Sequence, residues 1–105
     1  ILASASNQGI MPARNYTSVY SEKQRREYSW AEKAASYAGL HVEAVDASIM
    51  DWQARIENVI HHMDSPGYSP AVLPLWSIMQ RARADGVPVL LEGQGADELL
   101  GGYPQ

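Results

Sequence analysis

Residues 87 to 103 read Val-Pro-Val-Leu-Leu-Glu-Gly-Gln-Gly-Ala-Asp-Glu-Leu-Leu-Gly-Gly-Tyr. The run Val87–Leu91 is apolar and typical of a buried strand, interrupted only by Pro88 near its start. A glycine-rich segment follows at once, from Gly93 to Gly102. Ligands of open α/β sheets bind just past the carboxyl ends of the strands. The order of strand and glycine-rich loop therefore predicts an α/β fold with a binding loop at this point.

The loop carries residues suited to a phosphorylated ligand. Gly93 and Gly95 permit positive φ angles and let the backbone approach a ligand closely. Asp97 and Glu98 offer carboxylate oxygens, which Mg²⁺ prefers when it bridges to phosphates. A structural interpretation is also open, in which Asp97 is a helix N-cap and Glu98 a first-turn residue favoured by the helix dipole.

The rest of the chain alternates between strand and helix patterns. Strands are predicted at 16–20 and 41–45, and helices at 29–38 (closed by Gly39), at 48–63 and from Val72 to Asp85-Gly86. Ser21–Glu27 is predicted to be a polar surface stretch and Asp64–Pro70 a loop, while Ile1–Met11 has no clean period. This alternation predicts a parallel sheet flanked by helices, joined by right-handed crossovers.

The amino-acid composition argues against several classes of protein. The net charge of −4 argues against a broad nucleic-acid interface, and no apolar run reaches the ~20 residues of a membrane span. The chain has no cysteine, which excludes disulfides and thiolate chemistry and fits a reducing compartment such as the cytoplasm. We expect one domain over 1–105. The chain opens at Ile1 and closes just after the glycine-rich loop, so we expect it to be a segment of a longer protein.

The segment Gly93–Tyr103 resembles the signature of the synthetase domain of glutamine-hydrolysing asparagine synthetases, Gly-(Glu/Asp)-Gly-(Ala/Ser)-Asp-Glu-(Leu/Val)-Phe-Gly-Gly-Tyr. Two further blocks agree in order and approximate spacing. His62–Pro66 with Val72–Trp76 resembles the family's His-Leu-Asp-Glu-Pro and Leu-Pro-Leu-Tyr segments. Ala38–Glu43 resembles its Leu-Gly…His-His-Glu passage. The similarity extends from about residue 16 to residue 105.

The resemblance implies a partial ATP-pyrophosphatase fold that binds ATP and Mg²⁺. Such domains activate a carboxylate as an acyl-adenylate, release pyrophosphate and let an amine attack. In this family aspartate and ammonia give asparagine, with AMP and pyrophosphate, and the ammonia comes from a glutaminase domain. By motif match the metal site is Asp97 and Glu98, the ATP site is Ser18, Glu92, Gly93 and Gly95, and the position tied to the intermediate or the incoming amine is Gln94.

Four departures from the family pattern keep alternatives open. Gln94 replaces an acidic residue, and an amide cannot act as a base; Ser65 replaces a glutamate. Related beta-lactam synthetases and lasso-peptide cyclases also vary at the position of Gln94. The phosphate-binding loop Ser-Gly-Gly-x-Asp-Ser is absent from these 105 residues, and so is the cysteine of a glutaminase domain.

Two alternatives therefore remain, a related amide-forming cyclase and a non-catalytic assembly module. We expect the isolated chain to be inactive. The resemblance implies that the strand of the missing loop lies between the strands matching 16–20 and 87–91. We therefore also expect the chain to oligomerise, to cover the gap with Ile1–Ser6, or to be ordered only within a longer protein.

Other polar and aromatic residues have simpler interpretations. His61 and His62 are neighbours on a helix and point in different directions, so solvated histidines are favoured over a metal site. The basic run Lys23–Arg26 is interpreted as a solvated loop. Trp30, Trp52 and Trp76 are predicted to be core or partner-facing residues.

Overall fold

A computed structural model describes residues 2–19, 21–48, 52–66, 69 and 71–102. Its elements, in chain order, are α1 (Leu2–Asn7), β1 (Tyr16–Val19), α2 (Glu22–Tyr37), β2 (Glu43–Asp46), α3 (Trp52–Met63), α4 (Val72–Ala84) and α5 (Ala96–Leu100). Among these residues no helix has the length and apolar character needed to cross a bilayer. The helix α1 falls in the part of the sequence that pattern left unassigned, and its Ser6 Oγ donates to the carbonyl of Ala38 at 3.3 Å.

The strands β1 and β2 pair in parallel, which confirms the predicted α/β class. The register places Tyr16 opposite Glu43 and Val19 opposite Asp46. Both strands pack against α4, and β1 also packs against α2. The apolar core lies between these layers and consists of Ala35, Val42, Val45, Ala47, Val59, Leu73 and Ala82.

The helix α2 begins earlier than predicted, at Glu22. The interpretation of Lys23–Arg26 as a loop was therefore wrong, and the helix predicted from residue 29 begins seven residues earlier. Glutamate, lysine, glutamine and arginine are strong helix formers even where no apolar period marks the helix. The predicted end is confirmed, because Gly39 has φ +69° and the N–H of Leu40 reaches the carbonyl of Ala35 at 2.8 Å.

The helices α3 and α4 pack against each other and close the other side of the core. The helix predicted over 48–63 is confirmed from Trp52 to Met63. Ser48 is not helical, so the predicted start was wrong there, and residues 49–51 lie outside the described part of the chain. Val59 of α3 is fully buried. A polar link joins the two helices, since Arg55 Nη1 donates to Ser77 Oγ at 3.2 Å.

The run Val87–Leu91 is not a strand, so this prediction was wrong. Within the described residues the sheet has only the two strands β1 and β2. Val89 is 71% exposed and Leu91 82% exposed. A β-prone sequence becomes a strand only where a neighbouring strand supplies a hydrogen-bonded ladder. Pro88 also lacks the N–H that such a ladder needs.

Candidate functional site

Residues 93–102 are here called the acidic turn. They contain the short helix α5, which is bounded by two glycines in left-handed conformation. Gly95 is the N-cap of α5 with φ +93°, and Gly101 is the C-cap with φ +64°. Side chains other than glycine rarely adopt such angles. The N–H of Leu99 reaches the carbonyl of Gly95 at 3.2 Å, and that of Gly102 reaches the carbonyl of Asp97 at 3.0 Å. The glycine spacing therefore fixes where the helix begins and ends.

The two carboxylates stand in the first turn of α5. Gly95 is the N-cap and no side chain caps the helix, so the interpretation of Asp97 as the N-cap was wrong. Asp97 and Glu98 are both first-turn residues, where the helix dipole favours negative charge. Among the described residues no group of three or more histidine, cysteine or acidic side chains gathers into a metal site. The acidic turn therefore offers two adjacent carboxylates.

The side chain of Asp97 folds back over Gly102. A Cβ on Gly102 would collide with Asp97 Oδ1, and it would lie 3.0 Å from Asp97 Cγ and 3.3 Å from Asp97 Cα. The space that a side chain would fill at residue 102 is thus occupied by the Asp97 carboxylate. This close approach gives a physical reason for the second glycine of the Gly-Gly pair.

The acidic turn is exposed. Leu99 is 86% exposed and Leu100 84%, and no residue of α5 is buried. The helix does not belong to the element pairs that make up the main packing of the molecule. Gln94, immediately before the Gly95 cap, is exposed, and so are Glu92 and Gly93. The turn is therefore connected to the core chiefly through the chain that leads into it.

A cleft of about 420 Å³ lies at the carboxyl ends of β1 and β2, lined by Val19, Tyr28, Ala44 and Asp46. Its volume falls within the range of small-molecule sites, roughly 300–1,000 Å³. Ser18 is not among the lining residues, and it pairs with Val45 in the sheet. Successive side chains of a strand point to opposite faces, so Val19 rather than Ser18 faces the cleft.

Tyr28 and Asp46 line this cleft, and the sequence alone did not single them out. Tyr28 Oη donates to the carbonyl of Val42 at 3.2 Å. Burial raises the pKa of Tyr28, and the nearby Glu32 carboxylate raises it further, so the hydroxyl stays protonated. Asp46 Oδ1 accepts a hydrogen bond from the N–H of Ser48 at 2.8 Å. The available signal was the position of Asp46 just past the strand predicted at 41–45, as ligand-facing residues in α/β sheets often are.

The histidine, tryptophan and basic side chains considered in the sequence analysis lie outside the acidic turn and the cleft. His61 and His62 are exposed, and His62 packs edge-on against Trp76 with 4.8 Å between ring centres. His62 Nδ1 is 2.8 Å from the carbonyl of Asn58. Trp30 is 69% exposed and holds the Lys33 ammonium 4.6 Å from its ring centre, so it is not a core residue. The side chains of Lys23–Arg26 and Trp52 lie outside the described part of the structure.

The sequence matches the asparagine synthase family over residues 1–105. Asparagine synthetase (glutamine-hydrolysing) 1 of Bacillus subtilis is 32% identical over 77 residues, which are 73% of this chain and 12% of that protein. Asparagine synthetase (glutamine-hydrolysing) 1 of Arabidopsis thaliana is 31% identical over 74 residues, 69% of this chain and 13% of that protein. The Saccharomyces cerevisiae asparagine synthetase (glutamine-hydrolysing) 1 is 24% identical over 108 residues, 97% of this chain and 19% of that protein.

The chain thus spans between 12% and 19% of the length of these relatives. No solved structure matches it. The mixed α/β architecture with a parallel strand pair is consistent with an ATP-pyrophosphatase-like fold. The match along the whole sequence, together with relatives about 30% identical over most of it, shows that this chain belongs to the asparagine synthase family.

Proposed function

We propose that the chain supplies the acidic half of the ATP site of a glutamine-hydrolysing asparagine synthetase. The whole protein would adenylate the side-chain carboxylate of aspartate and transfer ammonia to it. The observation that carries this proposal is the acidic turn, in which two glycine caps set the ends of α5 and Gly102 leaves room for the Asp97 carboxylate. Family membership supports the reaction type, a carbon–nitrogen ligase.

The acidic turn fits a magnesium ion bound together with phosphate groups. Mg²⁺ is commonly held by one or two carboxylates, with phosphate oxygens and water completing its shell. Asp97 is the proposed direct ligand in the first turn of α5. Glu98, the next residue on the helix, points in a different direction, and its proposed part in the metal site is the negative charge that it adds nearby. When bound, the ion would neutralise charge that develops on the departing pyrophosphate.

The remaining ATP contacts are assigned to two places. Backbone groups of Glu92 and Gly93 would hold the adenine side, and Gly95 would let the backbone approach the phosphates. The cleft at the carboxyl ends of β1 and β2 is the candidate space for the adenine ring, with Val19 and Ala44 among its lining residues. Ser18 lies on the opposite face of the sheet from this cleft, so a contact between Ser18 and the adenine ring is not part of the proposal.

Gln94 is proposed to act by hydrogen bonding. In the first step a carboxylate oxygen attacks the α-phosphorus, and the bond to pyrophosphate breaks. In the second step the amine nitrogen attacks the acyl carbon, AMP leaves and the nitrogen loses a proton. Because an amide can donate and accept hydrogen bonds but cannot take that proton, Gln94 would orient the intermediate while another group serves as the base.

The rest of the reaction is assigned to other parts of the whole protein. The phosphate-binding loop and a glutaminase domain would contribute the remaining phosphate contacts and the ammonia. We propose the cytoplasm as the location. A second copy of the chain is the partner proposed to cover the strand edge of β1 that carries no neighbour among the described residues.

Calorimetric titration of the chain with pyrophosphate, with and without Mg²⁺, tests the proposal. We expect Mg²⁺-dependent binding that weakens about ten-fold or more in Asp97→Ala, because a hydrogen bond to a charged group contributes about 1.5–3 kcal/mol. Glu57→Gln removes one negative charge from an exposed position of α3 and is the matched control. Equal binding by Asp97→Ala and Glu57→Gln would contradict the proposed role of Asp97.

A further inference from the structure

Four side chains meet where both strands begin and α4 ends; we call them the amino-end cluster. Tyr16 Oη donates to Asp85 Oδ2 at 2.8 Å, and Arg81 Nε donates to the same oxygen at 3.0 Å. Arg81 Nη2 also lies 2.6 Å from Glu43 Oε1. Tyr16 and Glu43 are partners in the sheet register. The cluster therefore ties the end of α4 to the first residues of both strands.

The electrostatics of the cluster favour one protonation state. Hydrogen bonds from Tyr16 and Arg81 lower the pKa of Asp85. Burial raises the pKa of Tyr16, and the hydrogen bond to Asp85 raises it further. The hydrogen bond to Asp85 likewise raises the pKa of Arg81. An ionised Asp85 that accepts from a protonated Tyr16 is thus the stable state over the ordinary pH range.

The residue at the centre of the cluster also forms the bend at which the chain leaves α4. Asp85 is the C-cap of α4, and Gly86 follows with φ +73°. The N–H of Val87 reaches the carbonyl of Ala82 at 2.8 Å, and that of Gly86 reaches Arg83 at 3.1 Å. This pair of bonds is the Schellman arrangement of a helix end. Asp85 is therefore held by its side chain in the cluster and by its backbone at the end of α4.

We propose that Tyr16 and Asp85 are positioning residues that set the direction in which the chain runs from α4 to the acidic turn. Residues 87–95 belong to neither a helix nor a strand, and α5 has no buried residue. The described structure holds the start of this segment at Asp85. A change of direction there would alter the path by which the chain reaches Asp97. Only the consequence for ligand binding rests on the proposed function.

Two tyrosine variants test the inference. Tyr16→Phe removes the hydroxyl that binds Asp85. Tyr37→Phe removes a hydroxyl from a side chain that is 90% exposed, so it is the matched control. Hydrogen exchange of the Val87 amide reports on the bend. The Ala47 amide, which bonds the carbonyl of Val19 at 3.1 Å, reports on the opposite end of the sheet.

We expect Tyr16→Phe to speed exchange of the Val87 amide about five-fold, the effect of losing one hydrogen bond, and to leave the Ala47 amide unchanged. Tyr37→Phe should leave both amides unchanged. Equal acceleration of both amides in Tyr16→Phe would mean general destabilisation and would overturn the inference. No change at Val87 would overturn it as well.

Pyrophosphate binding in the presence of Mg²⁺ completes the test, at temperatures where each variant is folded by circular dichroism. Tyr16→Phe should raise the Kd about three-fold or more. Asp85→Asn, which keeps an acceptor oxygen, should bind better than Asp85→Ala. Faster exchange at Val87 with an unchanged Kd would overturn the link to the acidic turn. If the unaltered chain binds no pyrophosphate, the proposed function fails, and the exchange result still decides whether the bend is positioned by Tyr16.

Discussion

Replacing Gly102 by alanine should disable the acidic turn without unfolding the protein. The new methyl group would occupy the place of Asp97 Oδ1 and would lie 3.0 Å from Asp97 Cγ. Carbon atoms in contact are about 3.5–4.0 Å apart, so the Asp97 side chain must rotate away. The carboxylate would then leave the position in which it is proposed to meet the metal ion.

The expected cost in stability is small. The Asp97 side chain is exposed, and a side chain displaced from its preferred rotamer costs about 0.5–1.5 kcal/mol. Replacing glycine by alanine at a compatible backbone position stabilises by about 0.4–1 kcal/mol, because the unfolded chain loses freedom. The two effects oppose each other. We therefore expect the free energy of unfolding of Gly102→Ala to lie within about 1 kcal/mol of the original value.

The expected cost in binding is large. Mg²⁺-dependent pyrophosphate binding should weaken about ten-fold or more, as for loss of one charged contact. A double-mutant cycle with Asp97→Ala isolates the cause. In the Asp97→Ala background, Gly102→Ala should change binding very little, because the carboxylate that it displaces is already gone. Calorimetric titration and urea unfolding of the four proteins supply the data. Unaltered binding by Gly102→Ala would show that the position of the Asp97 carboxylate over Gly102 does not matter for binding.

Three further predictions concern the core, the amino-end cluster and the reaction. Val59→Ala removes two methyl groups from a fully buried side chain. In urea unfolding it should lower the free energy of unfolding by about 2 kcal/mol. Ile60→Val, at a more exposed position of α3, should change that free energy much less. The folded-state pKa of Asp85 is lowered, so its contribution is present above the unfolded pKa of about 3.9 and is lost as the pH falls through the folded pKa. The difference in urea midpoint between the original chain and Asp85→Asn should accordingly be constant near neutral pH and shrink below about pH 4, and a constant difference down to pH 2 would be inconsistent with this linkage. In a coupled assay, the chain mixed with ATP, Mg²⁺ and aspartate should release no pyrophosphate, because it lacks a phosphate-binding loop. Steady release of pyrophosphate above a no-enzyme blank would show that the loop is dispensable.

Local signals in the sequence predicted much of the fold. Gly39 and Gly86 mark helix ends because a left-handed C-cap strongly favours glycine, and both have positive φ angles. The strand beginning at Tyr16 and the helix α4, with its apolar period, were likewise predicted from the sequence. Each of these features depends on residues close together in the chain. The beginning of α2 was missed because its polar residues give no apolar period.

Features that depend on distant partners were not predictable in the same way. Val87–Leu91 has the composition of a strand, yet a strand needs a neighbour, and within the described residues none pairs with it. Tyr28 reaches the cleft only because α2 packs over β1. The Tyr16–Asp85 hydrogen bond joins residues far apart in sequence. The motif at Gly93–Gly102 identified the acidic residues, but the close approach of Asp97 to Gly102 could be seen only in the structure.

The central claim is that Asp97 couples magnesium to nucleotide binding in this chain. Titration with ATP at a series of Mg²⁺ concentrations, for the original chain and for Asp97→Asn, measures that coupling directly. We expect Mg²⁺ to lower the Kd for ATP about ten-fold or more in the original chain and to have little effect in Asp97→Asn, while Glu57→Gln behaves like the original. An identical response to Mg²⁺ in Asp97→Asn and the original chain would show that Asp97 does not bind the ion.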